Sequence, residues 1–173
     1  MTLMVRLFFL FVACGLQIDR EVQMRARPNS QRPCLYWYSR VDPRIKLPQD
    51  EKVPDVNDER ELQKGIACLL QLEGNENPSS IKGATSPRTS QTFSTTSVQV
   101  AALYYVSYLY YEKWDHAHAA VLVDESSTKD QKKTVAKAFE AYRRWFGEVK
   151  KIGLHEARKA EADPLAGSGI RWY

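Results

Sequence analysis

A chain of 173 residues, 43% of them hydrophobic, is long enough to bury one core, so a single domain is expected. Its net charge of +4 is too small to require nucleic acid as a partner. The charge is uneven: Pro48 to Glu76 holds eight acids and three bases, whereas Ser126 to Glu161 holds ten bases and five acids. This implies either oppositely charged faces that pack or steer, or an anionic partner for the basic half.

In chain order, "MTLMVRLFFLFVACG" comes first, with Arg6 ahead of an apolar run from Leu7 to Ala13. The run is much shorter than the ~20 residues of a membrane span. A removed export signal over residues 1–13 fits better than an anchor helix. Cleavage after Ala13 would place Phe11 third from the cut, where ordinary signal peptidase needs a small residue. "FVAC" resembles the bacterial lipobox, in which a cysteine after a small residue becomes lipid-modified. The resemblance implies lipidation at Cys14, although Phe11 stands where the pattern prefers leucine. Ordinary export and an apolar helix retained in the fold are the alternatives. The expected location is the periplasm or a membrane, held there by the lipid anchor.

Residues 14–56 carry Pro28, Pro33, Pro43, Pro48 and Pro54 and little periodicity, which predicts an extended arm or linker. Its apolar cluster "CLYWYSRV" is expected to be a short strand or a segment that seals the helical body. With Cys14 set aside, Cys34 and Cys68 form an even pair that an oxidising compartment would join. A free buried thiol at Cys68, inside "GIACLLQL", is the other reading.

The helical domain is expected over 57–164. A first helix starts near Asn57 or Asp58 and buries Leu62, Ile66, Leu69 and Leu70 on one face. Residues 77–97, with eleven Ser or Thr in twenty-one positions, read as a loop. A second helix, about Thr96 to Lys113, contains an apolar run too short to cross a membrane and is expected to be the central element. A third helix is predicted to start at a capping box of Thr128 and Gln131 and to stop at Gly153. Its buried stripe is Val135, Phe139, Tyr142, Phe146 and Val149. A short helix, "LHEARKAEAD", and a C-terminal tail over 165–173 complete the chain. No useful strand alternation appears, so the fold class is mainly α. The helix pairs, with "VQVAALYYVSYL" between Val98 and Leu109, resemble a HEAT-type helical-repeat unit. That resemblance implies stacked antiparallel helix pairs and a binding scaffold.

Three constellations have the residue types for chemistry. Glu112, Asp115, His116 and His118 are of metal-ligand type, but the spacing of His116 and His118 puts them on different helical faces, and no metal or other cofactor is predicted. Tyr104, Tyr108 and Tyr111 share one helical face, which suits either core packing or a ligand-binding surface. The loop with Arg88 ends at a helix N-terminus and suits either a plain loop or an anion cradle. No catalytic constellation is assembled. The expectation is therefore an exported, non-catalytic helical domain binding a protein or cell-envelope component. An envelope enzyme using Glu112, Asp115, His116 and His118 is the first alternative, and an assembly module the second.

Overall fold

The computed structural model describes residues 33–81, 96–112, 120–126 and 130–173. The expected signal, Cys14, Arg88, Asp115, His116 and His118 lie outside these residues. Along the described chain run α1 (Leu35–Ser39), α2 (Glu59–Leu69) with a 3₁₀ turn at Leu70–Leu72, α3 (Val98–Tyr111), β1 (Leu122–Asp124), α4 (Gln131–Ile152), α5 (Leu154–Lys159) and β2 (Ile170–Trp172). The fold is mainly α, with one small antiparallel sheet that pairs Leu122 with Trp172 and Asp124 with Ile170.

α3 is central because it has no polar face to turn to water. Twelve of its fourteen residues are buried, leaving only Tyr108 and Tyr111 half-exposed. α2, the 3₁₀ turn, α4 and α5 all pack against it. Val98, Leu103 and Val106 are fully covered, and burial of each such side chain contributes about 1.5–3 kcal/mol. Gln99 is tolerated inside because its side-chain oxygen accepts from Gly74 N–H (2.9 Å), which ties α3 to the end of the 3₁₀ segment.

The sequence predicts an extended arm across 14–56, but Leu35–Ser39 is helical. The correction has a packing cause. A helical turn places Trp37, 1% exposed, against α2, and Val41 follows it into the core. Residues 43–57 form neither helix nor strand. The seat for Trp37 is Gly65, in the middle of α2. A Cβ there would lie 2.5 Å from indole Cε2. A helical glycine costs about 1 kcal/mol relative to alanine, and here it makes room for the largest fully buried side chain. A disulfide between Cys34 and Cys68, with Cα atoms 5.4 Å apart, joins α1 to α2 beside this notch.

α2 starts as expected, with the Asp58 carboxylate accepting from Arg60 and Glu61 N–H. The cap of α4 is Asp130; Thr128, predicted for that role with Gln131, lies outside the described residues. The helix begins at Gln131, with Asp130 accepting from Lys132 N–H (3.1 Å) and Lys133 N–H (3.2 Å). Its stripe of Val135, Phe139, Tyr142, Phe146 and Val149 is buried as read, and Trp145 joins it by donating from Nε1 to Ala162 O (3.1 Å). Several cations on its outer face meet acids: Lys132 with Glu76 (3.1 Å), Arg143 with Glu73, and Lys137 with Asp124 (2.9 Å). The acidic and basic segments thus touch through Glu73 and Glu76. Exposed pairs of this kind contribute only about 0–1 kcal/mol each.

α4 stops at Gly153, whose φ of +90° suits glycine. The Glu59 side chain reaches over from α2 and accepts from Leu154 N–H (2.9 Å), supplying the cap that glycine lacks. Residues 170–172 are a strand where the sequence predicts a tail. Ile170 is buried opposite Asp124, and Tyr173 N–H extends the ladder to Val121 O (3.0 Å).

Two glycines in helices should respond to alanine with opposite signs. Gly65→Ala drives a methyl into the Trp37 ring and is expected to lower stability by about 1–3 kcal/mol. Gly147→Ala meets nothing within 4 Å and should raise stability by about 0.5–1 kcal/mol. Urea midpoints of the two variants beside the parent check both signs.

Candidate functional site

The polar and aromatic side chains of the structure gather around α3, and most of them hold the fold. At its N-terminus the first free donors are taken by backbone: Val98 N–H donates to Asn77 O (2.8 Å) and Gln99 N–H to Asn75 O (3.0 Å). Two of the first-turn donors that the sequence offers to an anion are therefore taken by the chain itself. At its C-terminus Arg158 of α5 donates from Nε to Tyr110 O (2.6 Å) and from a terminal nitrogen to Leu109 O (3.1 Å). It also pairs with Glu112 (2.5 Å) and lies over the Tyr110 ring. One guanidinium thus caps the last carbonyls of the central helix, where a cation also complements the helix dipole. Glu112, the described member of the Glu112, Asp115, His116 and His118 set, is a helix-capping residue at positive φ, paired with this arginine.

The three tyrosines that share a face of α3 meet three different neighbours. Tyr104 is buried with its ring edge-on to Trp172 at 5.6 Å. Tyr108 stacks on Tyr105 at 5.7 Å. Tyr111 donates to Asp163 (3.3 Å), and burial together with that nearby carboxylate pushes its phenol pKa upward. Behind them, Tyr142 is wholly enclosed. Its hydroxyl bonds to Ser107 Oγ and accepts from Trp172 Nε1 (3.0 Å), linking α3, α4 and β2. Burial raises the Tyr142 pKa, so the phenol stays protonated and neutral inside the core.

A partly exposed cluster surrounds Arg40. Arg40, just after α1, is an exposed residue whose guanidinium carbon lies 6.0 Å from the Tyr36 ring centre and 5.9 Å from that of Tyr105. Its Nε–H donates to the Tyr105 hydroxyl (3.3 Å). Burial raises the Tyr105 pKa, while the bond to Arg40 opposes that shift. Tyr36 and Tyr108 complete the patch, both half-buried. The sequence hides it because Tyr36 and Arg40 become neighbours only if residues 35–39 are helical, which brings positions four apart together. Among the described residues no group of three or more His, Cys, Asp or Glu is placed to hold a metal ion. No helix among them is long and apolar enough to cross a membrane.

No family model, curated relative or solved structure matches the chain. The class that the fold and these clusters define is a small, mainly helical domain. The aromatic and cationic patch around Arg40 is built from the segment after Cys34 and the middle of α3.

Asp124 gives the structure an acid-sensitive joint. It is 7% exposed and accepts from Ser126 N–H (2.8 Å), Ser126 Oγ (2.5 Å) and Lys137 Nζ (2.9 Å). The Ser126 hydroxyl first, then Lys137, lower its pKa from 3.8 to about 2. Because the folded value is the lower one, its contribution is present above the unfolded value and is lost as pH falls from about 4 towards about 2. Asp124→Asn should be less stable near neutral pH and lose less stability than the parent over that acid interval, read from urea midpoints at a series of pH values.

Proposed function

We propose that the chain is an exported or lipid-anchored, non-catalytic helical domain that binds a protein or another component of the cell envelope. The observation that carries the reading is the Cys34–Cys68 disulfide. Disulfides persist in oxidising compartments and are rare in the cytosol. This one closes a loop of 34 residues, for which chain entropy alone gives roughly 4 kcal/mol of stabilisation. It fastens α1 over the Gly65 notch, and α1 carries one half of the Arg40 patch. The disulfide and the exposed cluster are thereby joined in one segment.

In this reading α2 with α3, and α4 with α5, make two stacked antiparallel pairs of HEAT-like type, a scaffold whose work is contact. The "FVAC" sequence adds a second expectation, processing ahead of Cys14 and lipid attachment there. The polar groups at the α3 termini are occupied in holding the helix, which supports binding over catalysis.

The test is intact mass and membrane fractionation of the full chain made in a bacterial host, beside Cys14→Ser. The expected result is a processed chain beginning at a lipid-modified Cys14, found with membranes, with both features lost in the variant. Blocking free thiols before mass analysis should show Cys34 and Cys68 unmodified by the reagent. An unprocessed soluble chain with two reactive thiols at these positions contradicts the reading.

A further inference from the structure

We propose that Arg40, held beside the rings of Tyr36 and Tyr105, is the recognition point for a carboxylate on an acidic segment of a protein partner. The inference rests on the binding-domain reading and names the chemistry of its partner.

Arg40 differs from the other described arginines in the company it keeps. Arg44 pairs with Asp42, Arg143 with Glu73, Arg158 with Glu112 and Arg171 with Glu125. Arg60 and Arg144 have no such pair, and each stands exposed on a helix surface. Arg40 is held in place and yet not neutralised. Its Nε–H is held by the Tyr105 hydroxyl and its guanidinium carbon lies 6.0 Å and 5.9 Å from two ring centres. The two terminal nitrogens have no hydrogen bond among the described residues. These nitrogens form the planar fork that fits a carboxylate in a bidentate manner.

Position and charge both favour an acidic peptide. Ring contacts and the Tyr105 bond restrict the side chain before anything binds, so less ordering remains to be done on association. Arginine and tyrosine together are the residue types that carry binding energy at protein interfaces. A membrane surface would call for a cluster of about 4–8 cations. In this segment the charge of Arg44 is already balanced by Asp42, so the described cations here, Arg40 and Lys46, fall short of such a cluster.

The experiment uses the full chain with its disulfide intact, labelled with ¹⁵N, and follows the arginine Nε–H signals during titration with a hexaglutamate peptide. The expected result is a saturable shift at Arg40 that Arg60 and Arg144 do not share. In Arg40→Lys, which keeps the charge and removes the fork, binding should weaken at least about tenfold. Equal shifts at all three arginines, or no shift at Arg40, overturn the proposal, and the parent titration decides this even if the variant does not fold. Undiminished binding in a folded Arg40→Lys also overturns it. So does a response of Arg40 to inorganic phosphate alone. Failure here with Cys14 processing intact removes the Arg40 site and leaves the export reading standing; failed processing with a specific Arg40 shift does the reverse.

Discussion

The constraint on which this structure depends is a helix with no side to show to water. α3 is valine, alanine, leucine and tyrosine for most of its length, and a helix apolar all round must be enclosed. Most of the described elements answer that need. α2 and its 3₁₀ turn cover one side, α4 lays its own apolar stripe against it, and α5 packs on it too. The sheet brings Trp172 onto Tyr104 and Tyr142.

Enclosure creates a second problem, because the ends of a buried helix carry backbone donors and acceptors that water can no longer reach. The chain solves it with distant segments. Asn75 and Asn77 offer carbonyls to the first turn, and Arg158 donates to the last carbonyls. The same device recurs where Glu59 of α2 caps the start of α5. Each of these joins elements far apart in sequence, so satisfying a helix end also fixes the position of a neighbour. Glu112, a residue of metal-ligand type, is thereby spent on architecture.

How much of this was legible in the sequence follows from the range of each interaction. The faces of α2 and α4 are local patterns, and Leu62, Ile66, Phe139 and Tyr142 are buried as their spacing implies. The character of α3 was equally plain, since fourteen residues with so little polarity have few other uses. The start of α4 was misread by two positions because Thr128 and Asp130 are both capping types, and only coordinates tell which carboxylate or hydroxyl meets the free N–H groups. Trp37 on Gly65 was invisible: prolines on either side of α1 argue for extension, and a glycine inside a helix pattern reads as a weak point until the ring that fills its space is known. β2 was missed because three residues are too few to show alternation. The Arg40 cluster depended on that hidden α1. Asp115, His116, His118 and Arg88 fall outside the described residues, so the sequence reading of them stands as an expectation.

If α3 is the element around which the rest is built, its amides should open only when the whole domain unfolds. Native-state hydrogen exchange of the full chain, disulfide intact, measures this directly. The account predicts that the interior amides of Val98–Tyr111 form the slowest set, exchanging with the free energy of global unfolding and ahead of no other helix. Exchange of α3 through a lower-energy opening, while α4 stays protected, would contradict the central place given to it.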